Sequence, residues 1–442
     1  MALLPPDHPE RLALADEVHA RPPEPLQTPS RATYVAVLVE PADRERELAH
    51  LARLCEQHDV PLPMPGASHF VATLGGLRLK WERHGEFSGY TFFSTGLGSQ
   101  PYSEPPTSLL PAGWLATIPG ASVAAVHAEL MQAEGDGTPD AATLALHFNG
   151  NIVMGAEIGD GTGLAFTDFR IHEDGCAHML VVNRSFTQRQ AGRMLQRLFE
   201  IEAYRMMSLL ALPIARRQQP RTVAVEKALA ALTEDIAREH RSSHDETLLH
   251  ELTRLAAEVE SGLAASQFRF GACRAYFELV TRRIAELRET RIPGVQTIEE
   301  FMARRFTPAV ATCNTVSQRL HDLSERVAQA SNLLSTRVGI ARERQNQALL
   351  GSMDRRARLQ LRLQQTVEGL SVAAIVYYVA GLAGYGAKAL KAAGVPIHPD
   401  VAVGIVVPVA ALVVMLAVRR IHRRIARDES EAELRGARTS TR

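Results

Sequence analysis

Lysine is nearly missing: Lys80, Lys227, Lys388 and Lys391 are the only ones, and arginine supplies the rest of the positive charge. A bias of that kind fits GC-rich coding better than a phosphate site. The formal net charge of +0 excludes polyanion binding by the molecule as a whole. Cysteine is sparse too. Cys55, Cys176, Cys273 and Cys313 lie far apart with no C-x-x-C pair, so they read as reduced thiols in a cytosolic body. The first ten residues hold Pro5, Pro6 and Asp7 and no apolar h-region, which excludes a signal peptide. No G-x-x-x-x-G-K-[ST], dinucleotide fingerprint, G-x-S-x-G or hydrolase triad occurs, and basic and aromatic residues do not interleave. An enzyme, a cofactor, a metal centre and a nucleic-acid partner are therefore not expected.

Long apolar runs are present, and they lie at the C-terminal end. Gly369 to Ala387 carries no charge, and Leu390 extends the run past Lys388, whose stem can snorkel. Val401 to Val418 is again uncharged. Crossing a hydrocarbon core takes roughly 17–25 apolar residues as a helix, so spans are expected at about 369–390 and 401–418. Gly394, Pro396 and Pro399 break the short connection, making a tight helical hairpin with the lipid bilayer as its partner. Buried helices of a soluble core would be the other home for such runs. Arg355, Arg356, Arg358 and Arg362 precede the first span, and Arg419, Arg420, Arg423, Arg424 and Arg427 follow the second. By the positive-inside rule both termini are expected in the cytoplasm, with the loop 388–400 outside. Ala380, Gly381, Gly384 and Ala387 would admit a second helix at close range. Pro408 is placed to kink the second span.

A helical stalk is expected ahead of the hairpin. Cys313, Val316, Leu320, Leu323, Val327, Ala330 and Leu334 alternate in steps of three and four, a heptad seam. Leu248, Leu252, Leu255 and Val259 repeat the spacing, and Phe270, Cys273, Phe277, Val280, Ile284 and Leu287 resume it after a phase shift. Arg291-Ile292-Pro293-Gly294 is a turn. Two long antiparallel helices are thus expected to pack as a coiled coil, the second being one helix of about 140 Å from Ile298 to Leu390. Such a seam serves packing, or acts as a lever between body and bilayer.

The first 30 residues are proline-rich and read as extended. Beyond them the pattern gives a strand at 34–39, a helix at 44–58 and strands at 69–74, 77–83 and 90–94. A similar order follows: strand 113–118, helix 122–133, then strands 142–147, 151–157, 163–170 and 177–183. Two loosely similar units suggest an α+β body with a mainly antiparallel sheet. Helices are then expected at 188–212, ended by Pro213, and at 222–240. The domains so predicted are an arm (1–30), an α+β domain (31–186), a helical stalk (187–367), the two spans (368–421) and a basic tail (422–442).

Few polar groups suggest a site. Glu17, His19 and Arg21 alternate and would share one face of an extended chain, as an anion or metal face or as ties from arm to body. His240 and His244 are four apart, but Arg241-Ser242-Ser243 between them lacks a catalytic Glu, so solvated surface is favoured. Gly159-Asp160-Gly161-Thr162-Gly163 between two strands is turn chemistry, and Gly96-Leu97-Gly98 carries no phosphate motif. At the membrane mouth stands Glu368, with Tyr377, Tyr378, Tyr385 and Lys388 beyond it. They serve either as interface and packing residues or as a pore lining.

The stretch DEVHARPPEPL (Asp16–Leu26) resembles a signature of an uncharacterised bacterial family of predicted membrane-anchored proteins, domain of unknown function 3422. SMDRRARLQLRLQQTVEGLSVAAIVYYVAGLAGY (Ser352–Tyr385) resembles its second signature, and the similarity spans essentially the whole chain. Asp16 stands where the family pattern has Asn. The resemblance implies an inner-membrane protein of Gram-negative bacteria and brings no activity or catalytic residues with it. In layout the chain is also similar to CorA-type divalent-metal channels, which carry Tyr-Gly-Met-Asn at the end of the first span. Here Tyr385-Gly386 is followed by Ala387-Lys388, and Lys388 and Lys391 would repel cations there. A membrane-anchored scaffold or sensor, oligomeric through its stalk, is the expectation. A CorA-like channel is the alternative.

Overall fold

In the computed structural model, residues 5–12, 14–15, 22–134, 137–238, 245–392, 394, 400–401 and 403–420 are described. The chain divides into two compact units, Met1–Leu334 and Ser335–Arg442.

The first unit is built on one nine-stranded sheet. Its strands are β1 (Ser30–Leu38), β2 (His69–Leu74), β3 (Leu77–Arg83), β4 (Phe87–Thr95), β5 (Ala121–Gln132), β6 (Met154–Ile158), β7 (Gly163–Ile171), β8 (Ala177–Asn183) and β9 (Thr290–Arg291). Their spatial order is β2-β3-β4-β1-β5-β8-β7-β6-β9. The expected α+β body with a mainly antiparallel sheet is what forms, and β5 with β8 is its parallel pair. Helix α1 (Arg44–Gln57) follows β1, and helix α2 (Ala141–His147) follows β5. Each is succeeded by three strands. This common order does not extend to strand direction, because β1 runs antiparallel to β4 whereas β5 runs parallel to β8.

Three assignments in the second half of the sheet are corrected. Residues 121–132 are strand, not helix, and Ala141–His147 is helix, not strand. The expected strand at 113–118 is instead a turn and a short 3-10 helix, Leu115–Thr117. β5 lies at the centre of the sheet between β1 and β8 and is covered on both faces. Val123, Ala125 and Met131 put apolar residues on its second face as well, so the alternation that marks a half-exposed strand survives only from Val126 to Leu130. α2 is short, but Asp140 caps it by accepting a hydrogen bond from the Thr143 N–H.

Helices cover both sheet faces. On one, α3 (Gln188–Leu209) and the second half of α5 (Asp245–Leu287) lie over β1, β5 and β8. Tyr34, Val126, Met179, Leu198, Phe199, Phe270 and Val280 share this core. A capping box between Thr187 and Gln190 starts α3. On the other face, α1 packs Leu51 and Leu54 against Leu79, Trp81, Tyr90 and Phe92. Further along, α2 and the loop after it bury Phe148 among Leu164, Phe166, Leu180 and Val182. The polar residues that become the candidate site lie between these two small cores.

The stalk seams are buried as their spacing requires, with a third helix added. α4 (Leu212–Arg238) places Val225 and Leu229 beside Leu252, Leu255 and Val259 of α5, and beside Leu323, Val327 and Leu334 of α7 (Thr307–Ala392). α3 ends before Pro213 as expected, at Leu209, but α4 does not wait for Thr222. Pro213 occupies its first turn, where a missing N–H costs nothing, and the helix runs on through Pro220. The expected single helix from Ile298 is α6 (Ile298–Arg305) and α7, separated by Phe306.

The second unit holds the remainder of α7 and helix α8 (Val403–Arg420). Both are long and apolar enough to cross a membrane, and no residue of their most apolar windows is buried. The small-residue stretch does admit a close neighbour. A Cβ at Gly384 would stand 3.3 Å from Cγ2 of Val403, so the helix it receives is the chain's own α8.

Candidate functional site

β5 carries His127 and Glu129 two residues apart, so both project from the same sheet face. In the parallel register His127 stands beside His178 of β8, and in the antiparallel register it stands opposite Thr33 of β1. β7 adds Asp168. Its pairing with β8 shifts register between Thr167 and Ile171, and Phe169 takes φ +53°. This bulge sends Phe169 to the helical core, where it stacks on Phe301, while Asp168 turns to the opposite side. The β7–β8 turn supplies His172 and Asp174, α2 ends on His147, and the connection between β4 and β5 supplies Tyr102.

These groups form one buried polar network. Oδ2 of Asp174 is 2.8 Å from Nε2 of His178 and 4.0 Å from Nε2 of His127. Nδ1 of His127 lies 2.9 Å from the Thr33 hydroxyl. Nδ1 of His178 donates to the His147 carbonyl at 3.4 Å. Nδ1 of His147 donates to the Thr143 carbonyl at 2.7 Å, and its Nε2 faces Oε2 of Glu129 at 3.3 Å. The other oxygen of Glu129 accepts from the Tyr102 N–H at 2.9 Å. Asp168 accepts from the Asn151 amide and the Arg170 N–H, and lies 3.0 Å from Nε2 of His172. The rings of Tyr102 and His172 stack on His178 with centroids 4.0 and 3.8 Å away.

Burial dominates the electrostatics. It lowers His127 to about 4, against smaller opposing pulls from the Asp174 and Glu129 charges. It raises the Tyr102 phenol well above its ordinary value, with Glu129, Asp168 and Asp174 adding to the effect. Burial also pushes the Cys176 thiol up to about 12, helped by Asp174. Asp174 is the accessible member, its side chain 35% exposed. There, hydrogen bonds from His178 and the Cys176 N–H outweigh partial burial and hold the carboxyl below its usual range. The Tyr102 hydroxyl is buried without a hydrogen-bond partner.

Among the described residues no three His, Cys, Asp or Glu side chains are placed to hold an ion. What the arrangement offers chemically is proton binding in a buried, carboxylate-rich setting.

The residues singled out from the sequence fall elsewhere. Glu17, His19 and Arg21, and likewise His240 and His244, lie outside the described residues. Tyr377, Tyr378, Tyr385 and Lys388 are exposed along α7, and Glu368 is half-buried. Tyr377 and Tyr378 meet edge-on at 6.0 Å. Pattern reading missed the histidine network because its members come from separate elements. One signal was available: His127-Ala128-Glu129, an ionisable pair on one face of an otherwise apolar run.

The second half of the arm motif, Pro22 to Leu26, is held by the fold. Leu26 is buried and donates its N–H to the Gln188 carbonyl at 2.9 Å, and the Pro25 carbonyl accepts from Arg78. The arm crosses α3 at Gly192, where a Cβ would lie 1.7 Å from the Glu24 carbonyl oxygen. Glu24 lines a cleft with Lys80, Glu82 and Glu200. Lys80 is fully engaged there, with Glu82 at 2.9 Å and Gln196 at 3.2 Å.

A family model described as "Protein of unknown function (DUF3422)" matches residues 6–425. A comparison with curated proteins finds no match.

Proposed function

The chain belongs to the family described as protein of unknown function (DUF3422), and from that premise we propose that it is a membrane-anchored sensor or scaffold without catalytic activity of its own. One observation carries this reading: the most apolar stretches of α7 and α8 are exposed. Leu370, Ile375, Leu382, Ile405, Leu412 and Leu416 are all exposed. At about 2 kcal/mol for each such side chain kept from water, these six alone weigh about 12 kcal/mol. That equals the whole stability of an ordinary domain, so lipid is the solvent that suits them.

In this reading the α+β body and both termini lie in the cytoplasm of a Gram-negative cell, and the connection between the spans faces the periplasm. The arginines on both flanks support that orientation. Exposed Leu349, Leu350 and Met353 on α7 support association with further copies of the chain. The network around His178 supports a sensing body better than an inert anchor, because buried ionisable groups respond to their surroundings.

Carbonate washing of membranes followed by ultracentrifugation tests the anchor. The full-length protein is expected in the pellet until detergent releases it, and recovery in the carbonate supernatant ends this reading. Detergent-corrected mass and ion flux into liposomes then separate the sensor from a CorA-like channel. Flux carried by a symmetric oligomer selects the channel.

A further inference from the structure

The hydrogen bonds of the network do not balance unless extra protons are present. Each neutral imidazole owns one N–H, so it satisfies one acceptor and itself accepts at the other nitrogen. Two rings need no extra proton: His127 faces a hydroxyl, which serves either way, and Nδ1 of His172 faces the Asn149 amide at 3.4 Å while its Nε2, 3.0 Å from Asp168, makes no hydrogen bond. His178 needs one. Its Nδ1 faces the His147 carbonyl and its Nε2 faces the Asp174 carboxylate, and both are acceptors. His147 stands similarly: its Nδ1 donates to the Thr143 carbonyl, and its Nε2 lies at an ion-pair distance of 3.3 Å from the Glu129 carboxylate.

We propose that this sheet face is a two-proton binding site, with one proton on the His178–Asp174 pair and one on the His147–Glu129 pair, and that the bound protons latch α2 and its following loop onto the sheet. As imidazoliums, both rings donate at both nitrogens, and every acceptor named above is satisfied. A cation on His178 also accounts for its stacked neighbours, since the π-faces of Tyr102 and His172 cover the ring and exclude water from it. The surrounding charges suit it: Glu129 from β5, Asp168 from β7 and Asp174 from the β7–β8 turn stand against two imidazoliums. His127 from β5 and Cys176 from β8 stay neutral, each disfavoured as an ion by burial. The exposed edge of Asp174 is the route by which a proton enters or leaves.

Two of the links from α2 to the sheet are the proton-bearing ones, His147 to Glu129 and the His147 carbonyl to His178. Two more follow in the next loop, Asn149 to His172 and Asn151 to Asp168. When the protons leave as pH rises, buried carboxylate oxygens face imidazole lone pairs, and the α2 segment loosens. This site belongs to the α+β body and does not depend on whether α7 and α8 enter a bilayer.

The test is hydrogen exchange by mass spectrometry on the full chain in detergent micelles at pH 6 and pH 9, with times scaled for intrinsic exchange. Residues 141–153 are expected to lose tenfold or more of their protection at pH 9, while Phe87–Thr95 of β4 stays unchanged. The Glu129→Gln/Asp174→Asn double variant replaces each carboxylate with an amide that donates to the neutral ring and still accepts from Tyr102 or Cys176. Its protection should be equal at the two pH values. Equal protection in the natural protein, or the same pH response in the variant, overturns the proposal. Nitrogen spectra of histidine-labelled natural protein are independent of the variant's folding. At pH 6 the rings of His147 and His178 should show both nitrogens protonated, and a neutral tautomer at either would also overturn it.

Discussion

Gly192 decides whether the proline-rich arm docks. Replacing it with alanine places a Cβ 1.7 Å from the Glu24 carbonyl oxygen and 2.8 Å from its carbon. Both atoms are backbone, so no rotamer relieves the clash and the arm must retreat. That breaks the hydrogen bond from Leu26 to Gln188, worth about 1 kcal/mol net. It also exposes the Leu26 side chain, now only 2% accessible, at a cost of about 2–3 kcal/mol. The upper bound is thus about 4 kcal/mol, or roughly a thousandfold more frequent opening of the arm. The sign makes the test sharp, because an unobstructed Gly→Ala change inside a helix stabilises by about 1 kcal/mol. Amide exchange at Leu26 and thermal melting of the Gly192→Ala protein in detergent are the assays. Faster exchange at Leu26 with unchanged exchange in β4 is expected. A protein that melts higher than the natural one, with Leu26 still protected, would refute the reasoning.

Other outcomes follow from the same structure. His127 has its folded-state value lowered to about 4 against an unfolded value near 6.5, so its contribution is complete above pH 6.5 and is lost as pH falls toward 4. The loss is about 3 kcal/mol, and urea midpoints at pH 7 and pH 4.5 should lie closer together in His127→Gln. Glu47→Leu leaves the Trp81 N–H and Tyr90 hydroxyl, which donate to Glu47 at 3.1 and 2.9 Å, without an acceptor in a dry core. A loss of about 2–4 kcal/mol is expected in thermal melts, whereas Glu47→Gln retains part of it. Gly384→Val drives a side chain into Val403 and should cost about 1–3 kcal/mol by overpacking, lowering the temperature at which the detergent-solubilised protein aggregates.

Elements with one unbroken period were legible in advance. The seam from Cys313 to Leu334 needs only its own spacing to be recognised, and Cys313, Val316, Leu320, Leu323 and Val327 are all buried along it. β8 was legible because Ala177–Asn183 is short, apolar and bounded by turns. β5 was not, since the residues that cover its two faces come from remote parts of the chain. A helix from Thr222 was legible, but its start at Leu212 was hidden by Pro213, which marks a helix end and a helix start alike.

By itself the sequence determined which segments are apolar, how long they run and with what period. Uncharged runs of bilayer length, a heptad seam and alternating strands are properties of neighbouring residues, and the physics of burial acts on them locally. Only the tertiary structure decided which charges meet. His127, His147, His172 and His178 stand on separate elements, and strand register, a bulge at Phe169 and the end of a short helix bring them within one network. No local pattern encodes that meeting, because it depends on how the strands are ordered across the sheet.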